Sequence, residues 1–489
     1  MCVIGAGIIG NHIAIELLNR GHKVLVIEAG GMDSETNLLG HKDYYFKTPS
    51  MLPKNVHRVG GGGNYWIGRI GEFLTKDFLP LVGVREESWP LEKRDLVPYY
   101  RSVYRKLGHE GLLDNEFVSE YFAELNLTPP GLGIRPIRYT EPDLLRNSFI
   151  SALTHPSLDF LEKTLVTKIK KSNQSQRNLV TAQSIEGEEK EIEVKTVIIA
   201  GGALQSAKLF LNSSDLQNDC NSDFAGYFLM EHLDGFVGDI RISRRNNSFL
   251  KSVVLDSNRK ISNRPEHDCG LSLILGSLEK EDSVHLSVGF EIVKKVVEYK
   301  FAPEVNGLDS IPRNSLKEIA YLAERIAYKL FGTIEQVVRR SLFGSDIYSI
   351  WLKAEEIPFR DSRVIVGSKE NELIYNHEIS AKTSAAVRRS LLRFREIVRE
   401  QNLGEVDYYK EVLDPSKILT LRPNWHPMGT LRMGKPYQSV VDANLKIHGV
   451  DDVFVLSSAV FPTGSNQNPV FTTLALGTRL ADHLTKNHE

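Results

Sequence analysis

The chain has 489 residues, 41% hydrophobic and 25% charged, enough to bury a sizeable core and to build two or three structural domains. Its 60 lysines and arginines nearly balance 62 aspartates and glutamates, so no global field recruits nucleic acid or an anionic membrane, and no apolar run is long enough for a transmembrane helix. The three cysteines, Cys2, Cys220 and Cys269, stand in no metal-like or disulfide-like spacing, which fits a reducing, cytoplasmic compartment and supplies no metal site.

Cys2-Val3-Ile4 reads as the end of an apolar strand, Gly5-Ala6-Gly7-Ile8-Ile9-Gly10 as a turn with G-x-G-x-x-G spacing, and Asn11 to Arg20 as a helix. Lys23 to Ile27 is a second strand, ending at Glu28. In such a unit the first glycine permits the turn, the second lets a pyrophosphate approach the backbone, and the third lets helix and strand pack closely. The helix N-terminus faces the phosphates. An acid at the tip of the second strand accepts hydrogen bonds from both ribose hydroxyls, which favours FAD or NAD and disfavours the 2′-phosphate of NADP. A lone glycine fingerprint is a weak sign, but strand, helix, second strand and acid in order make a strong one. Only four residues precede Gly5, fewer than the roughly 5–6 of an ordinary strand, so the first strand is expected to begin upstream of Met1.

Further along, Gly60-Gly61-Gly62-Gly63-Asn64 is costly to order, and the bulky Tyr65, Trp66 and Ile67 that follow suit burial. This predicts a close-approach loop packed against something flat, such as a flavin. An amphipathic helix follows at Asp95 to Leu107, and a strand at Thr164 to Ile169. Thr196 to Ala200 is a buried parallel strand that breaks at Gly201-Gly202 and feeds a helix over Leu204 to Leu211. From about residue 236 to 420 the pattern changes. Alternation over Phe236 to Ile242, Val284 to Val293 and Arg363 to Val366 predicts antiparallel strands, and helices are expected over Ser315 to Leu342 and Thr383 to Gln401. The expected fold is therefore α/β with an α+β substrate part. A Rossmann-like nucleotide domain spans 1–235, with substrate-side excursions near 80–150. An antiparallel-sheet substrate domain spans 236–420, and the chain returns to the first domain over 421–489, where Val453 to Leu456 is a strand and Pro469 to Leu484 a helix.

The returning segment carries the chemistry. His426 lies in Pro423-Asn424-Trp425-His426-Pro427-Met428-Gly429, a loop braced by proline and glycine, which is how a base is held rigidly over a cofactor. Asn468 precedes Pro469 at a helix start, where it can cap the helix and still reach a substrate oxygen. His232 and His448 read as structural turn residues.

These motifs, in this order, resemble the glucose–methanol–choline (GMC) oxidoreductases, FAD-dependent alcohol-oxidising enzymes, from residue 1 to the last helix. Gly5 to Gly10 with Glu28 resemble the family's ADP-binding start, and Gly60 to Gly63 its flavin loop. Ala200 to Ser206 resemble its middle turn, Ser457 to Asn468 its closing flavin segment, and His426 with Asn468 its catalytic pair. The resemblance implies a cofactor-binding set of Gly5, Gly7, Ile8, Ile9, Gly10, Glu28, Ala29, Gly60, Gly61, Gly62, Gly63, Asn64, Val166, Ala200, Gly201, Ser457, Ser458, Pro469 and Val470. Some sugar oxidases of the family link FAD through a histidine where this chain has Tyr65, so FAD is expected to bind non-covalently.

The wording around His426 is closest to sugar- and polyol-oxidising members, which implies oxidation of a sugar, cyclitol or related polyol alcohol to a carbonyl by hydride transfer to flavin N5. His426 would be the base, as imidazole titrates nearest neutrality, and Asn468 would hold the oxygen. A cyanohydrin-cleaving lyase and an aryl-alcohol oxidase stand as alternatives. The electron acceptor, whether dioxygen, a quinone or a redox protein, is left open. Substrate hydroxyls would find partners among Glu266, His267, Glu291 and Arg363.

Overall fold

The computed structural model describes residues 1–32, 44–46, 57–80, 89–109, 131–243, 270–275, 286–294, 345–367, 373–419, 421–423 and 425–486. The expected helix over 315–342, Cys269, Glu266 and His267 lie outside them.

Five short strands form a parallel sheet in the order Val453–Val455, Val197–Ile199, Cys2–Ile4, Val24–Ile27 and Leu158–Leu161. Strands covered on both faces need continuous apolar runs rather than alternation. Val197, Ile198 and Ile199 accordingly have no exposed surface. The helix Ile8–Leu18 follows the first strand and Gly202–Leu211 the Val197–Ile199 strand. The last helix, Pro469–Lys486, starts with proline, whose missing N–H is no loss in a first helical turn. It packs on Lys93–Lys106 through Phe471 stacked on Tyr100 at 5.6 Å between ring centroids, and the Tyr100 hydroxyl meets Thr472 Oγ1 at 2.9 Å.

The second layer is an antiparallel sheet of eight strands. Gly404–Tyr408, Leu233–Ser243, Ser345–Ala354, Val288–Lys294, Gly270–Leu275, Leu132–Tyr139 and Arg69–Ile70 follow in order, with Arg422–Pro423 added beside Leu233–Ser243. The helix Ala381–Glu400 covers one face. Ser380 Oγ caps it by accepting from Thr383 N at 3.0 Å, and Val387, Leu391, Phe394 and Val398 recur at the three- and four-residue spacing of one helix face. Phe394 stacks on Phe290 of the sheet at 4.1 Å. Each large apolar side chain buried in this way contributes about 1.5–3 kcal/mol. The fold is thus α/β, a Rossmann-like domain joined to an antiparallel-sheet substrate domain.

One local expectation is placed and two are corrected. Arg363–Val366 is the antiparallel strand expected; it pairs with Leu373–Asn376, which runs parallel to Tyr44–Phe46 in a three-stranded sheet separate from the large one. Four-residue alternation shows that a strand has one buried face but not which sheet supplies the cover. Tyr65 and Ile67 are each 54% exposed, and only Trp66 turns inward, donating from Nε1 to Arg69 O at 3.1 Å. Of the strand expected over Val284 to Val293, Val284 lies outside the described residues, and the strand runs over Val288–Lys294.

Candidate active site

Four strands of the parallel sheet end at one edge of the layer, and each is followed by a segment expected to hold the cofactor. Gly5 follows Ile4, Glu28 and Ala29 follow Ile27, Ala200 and Gly201 follow Ile199, and Ser457 and Ser458 come just after Val455. In open α/β sheets this edge, beside the strand where the order reverses, is where ligands bind. The three turn glycines differ physically. Gly5 has φ +102°, and an added Cβ would lie 2.9 Å from Ala200 O; a Cβ at Gly10 would fall on Gly5 O; a Cβ at Gly7 would meet no protein atom within 4 Å. The first and third positions are closed by the protein itself, while the second opens where a ligand backbone would pass. Glu28 is buried, its Oε2 accepting from Ala6 N at 2.7 Å and its Oε1 from Gly30 N at 2.8 Å. Burial raises its pKa, opposed by these two bonds. A carboxylate offers about four acceptor positions, so both oxygens can still receive ribose hydroxyls. These residues fit an ADP-containing dinucleotide.

The glycine loop crosses the first turn. Gly60 N donates to Ala6 O at 2.7 Å, Gly61 lies against Gly7, and Gly63 lies against the Ile8 side chain. Asn64 Nδ2 staples the loop through Gly61 O at 2.7 Å and Val59 O at 3.2 Å. Ile9 is partly buried against the core. Val166 is buried on the strand Thr164–Lys171, whose first amide donates to Glu28 O at 2.9 Å. Pro469 is buried at the start of the last helix, and Val470 packs partly on the main core.

His426 sits on a loop laced to residues 229–232. Met230 and Met428 exchange backbone bonds at 3.0 and 2.9 Å, and Gly429 N donates to Ser458 O at 3.1 Å. Trp425 just before it has φ +58°, an uncommon conformation for a bulky residue, and Ser465 in the closing segment has φ +53°. Both are held by bonds to buried carboxylates: His426 N donates to Glu231 Oε2 at 2.6 Å, and Ser465 N to Glu355 Oε1 at 2.9 Å. Glu231 is further held by Tyr375, whose hydroxyl donates at 3.1 Å, and its own N–H donates to Glu356 Oε2 at 2.7 Å. Glu356 in turn pairs with His377 Nε2 at 2.9 Å. Burial pushes Glu231 up to about 8 and Glu355 up to about 7.

On the sheet side, Lys353 Nζ donates to Asn468 Oδ1. That contact fixes the amide with its oxygen toward lysine, leaving Nδ2 able to donate elsewhere. Lys353 faces Asp234 across the strand register, and Arg69 Nη2 pairs with Glu291 Oε1 at 2.5 Å. All four are enclosed in this region, and burial lowers Lys353 and raises Asp234. His426 is held well below the ordinary imidazole value by burial first, then by His232, Lys353 and Arg69, so it is neutral and able to act as a base. Below the pair, Arg135 is fully buried against Asn466 and Asp77, and Trp89 Nε1 donates to Thr463 Oγ1 at 2.7 Å.

Residues 368–477 match the family model described as GMC oxidoreductase. Over that stretch the chain is similar to the GMC oxidoreductases. Among curated proteins, the 6'''-hydroxyparomomycin C oxidase of Streptomyces lividus is 32% identical over 22% of this chain and 22% of its own length. Pyridoxine 4-oxidase of Microbacterium luteolum is 50% identical over 8% of each chain. This chain therefore aligns with about a fifth or less of these relatives. The fold is shared over the whole length. A crystal structure of pyridoxine 4-oxidase from Mesorbium loti superposes with a TM-score of 0.59 at 16% identity, covering 100% of this chain and 99% of that one. A formate oxidase variant from Aspergillus oryzae RIB40 gives 0.57 at 16%, covering 100% and 98%.

The structure returns the end of the chain to its beginning: Val453–Val455 lies two strands from Cys2–Ile4 in the parallel sheet, and His12 Nε2 meets Thr478 Oγ1 at 2.9 Å. It also gives two residues a place that the sequence did not show, His232, expected to be a structural turn residue, and Lys353, which was not singled out. His232 is not a turn residue: it is fully buried just before the strand Leu233–Ser243, with Nδ1 3.1 Å from His426 Nδ1. His448 does staple a turn, its Nε2 at 3.1 Å from both Ser439 Oγ and Gly434 O. Lys353 was hidden because, in Trp351-Leu352-Lys353-Ala354, it alternates with buried Leu352 and so reads as the solvent side of a strand. Of the residues named for substrate hydroxyls, Glu291 is engaged by Arg69, and Arg363 meets the Tyr227 hydroxyl at 3.1 Å in the separate small sheet. Among the described residues no helix is long and apolar enough to cross a membrane, and no cluster of three His, Cys, Asp or Glu could hold a metal ion. Cys2 and Cys220 are buried free thiols.

Proposed function

We propose that this chain is an FAD-dependent alcohol oxidoreductase in which His426 takes the hydroxyl proton and Asn468 holds the same oxygen. The observation that carries the reading is the joining of a neutral His426, fixed by Glu231, to an Asn468 whose Nδ2 is freed by Lys353, beside the ligand edge of the parallel sheet. Bound FAD supplies the hydride acceptor. The residues do the rest: the base removes a proton within about 3 Å, and the amide fixes the direction of the C–H bond and steadies developing alkoxide charge. The exposed Tyr65, in place of a linking histidine, supports non-covalent binding. The enclosed charges Asp234, Glu291, Arg69 and Lys353 support a substrate with several polar groups, a cyclic polyol or amino-sugar-like alcohol, over a simple aliphatic or aryl one.

The test is anaerobic mixing of the flavoprotein with a panel of alcohols. His426→Ala should retain acid-releasable FAD and reduce it about 10²–10⁴-fold more slowly. A loss below tenfold would remove His426 from the role, and benzyl-type alcohols winning by tenfold or more would overturn the substrate class.

A further inference from the structure

The imidazoles of His232 and His426 meet at like atoms, Nδ1 to Nδ1 at 3.1 Å. Such a contact is a hydrogen bond only if one ring donates and the other accepts. The far side of His232 decides which. Its Nε2 lies 3.2 Å from Gly464 O, and a carbonyl oxygen can only accept, so that nitrogen carries a hydrogen. His232 is fully buried with Lys353 and Arg69 as neighbouring cations, an environment that keeps it neutral and pushes it down to about 3. Asp234 and Glu291 face those two cations, and Glu231 is occupied by the His426 backbone and Tyr375. A neutral ring with hydrogen on Nε2 has its lone pair on Nδ1. The hydrogen in the 3.1 Å contact therefore belongs to His426 Nδ1, and a neutral His426 of that form has its one lone pair on Nε2.

We propose that His232, anchored by the Gly464 carbonyl, is a positioning residue that fixes His426 in its Nδ1–H form and makes Nε2 the atom that takes the substrate proton. This rests on the alcohol-oxidising reading. In the step, the substrate O–H bond breaks as Nε2–H forms, the C–H pair leaves as hydride to the flavin, and a carbonyl remains. The imidazolium keeps its Nδ1–H bond to His232, so the charge forms on a ring already oriented to bear it, the role a carboxylate plays behind the histidine of a serine protease triad. The closing segment thereby serves the site twice, through Gly464 O on His232 and through Asn468 on the substrate.

Two variants of the full chain with its flavin separate this role from packing. His232→Asn keeps an acceptor near the old Nδ1 position, whereas His232→Leu fills the space without one. Nitrogen-15 histidine spectra should show His426 carrying hydrogen on Nδ1 and not on Nε2 in the wild type and in His232→Asn, and a mixture in His232→Leu. Flavin reduction should slow about 10–10³-fold in His232→Leu, with FAD still bound, and return to within about tenfold of wild type in His232→Asn. Hydrogen on Nε2 of His426 in the wild type would overturn the proposal, as would a His232→Leu enzyme as fast as wild type. The spectra need no substrate, so they stand or fall apart from the alcohol-oxidising reading, which His426→Ala tests.

Discussion

In the parallel sheet the segments facing the cofactor edge offer backbone, and what matters at Gly7 is that nothing fills the space beyond Cα. In the antiparallel sheet the segments facing the same site offer enclosed charge: Asp234 opposite Lys353 on neighbouring strands, and Glu291 on Arg69. The first region is built by sequence-local rules, since a glycine, a strand end and a helix start lie within a few residues of one another. The second is built by register, because its charges come from four strands distant in the chain and have no meaning singly. A nucleotide turn is therefore set by neighbours in the chain, whereas the enclosed charges are set by strands that meet only in the fold.

The comparison breaks most visibly at Lys353. Replacing it with methionine removes one of the two cations, Lys353 and Arg69, that face buried Asp234, and breaking one side of a buried charge cluster costs up to about 3–5 kcal/mol. Lys353→Met should lower the urea midpoint accordingly, and the double variant with Asp234→Asn should regain most of the loss; a single variant as stable as wild type would show that the register pair carries no coupling.

The glycines sharpen the other side. Gly10→Ala forces a Cβ onto Gly5 O and should cost about 1–3 kcal/mol or more in the flavin-free protein, whereas Gly7→Ala should lie within about 0.5 kcal/mol there. Both should weaken FAD binding, measured by fluorescence titration. Equal destabilisation by the two would contradict the distinction between packing and ligand glycines.

The smallest effect is a pH slope. His12 and His232, lowered to about 3, contribute stability that is complete above the unfolded value near 6.5 and lost as pH falls. Glu231 and Glu355, raised to about 8 and about 7, act oppositely: their stability is complete below about 4.3 and lost as pH rises through the folded values. Between about pH 6.5 and 8 only the glutamates of this set titrate, so stability should fall with rising pH. Glu231→Gln should flatten that fall in urea midpoints taken at both ends of the window, and an unchanged slope would deny Glu231 its raised value.

Strand, glycine turn, helix and acid were readable at the N-terminus because each step is decided within about ten residues by backbone geometry and apolar pattern. The helices Lys93–Lys106, Ala381–Glu400 and Pro469–Lys486 were legible for the same reason, each within a few residues of its expected bounds. Arg363–Val366 was recognised as an antiparallel strand without its separate small sheet being legible, and Tyr65 and Ile67 were read as suited to burial when they are exposed. In both cases local pattern gives the element and not its neighbour.

His426 and Asn468 could be singled out from the sequence because rigid, proline- and glycine-braced segments mark them. Their controls could not. Whether a histidine before a strand is a turn residue or the partner of a base, and whether a lysine on the polar side of a strand meets water or an asparagine 115 positions away, depends on which surface closes over it. The sequence by itself determined the nucleotide turn, since short-range sterics suffice for it, and singled out His426 and Asn468 as the proposed reacting pair. Only the tertiary structure decided the polar surroundings of those two side chains, because hydrogen-bond direction and desolvation are set by groups that meet across the whole fold.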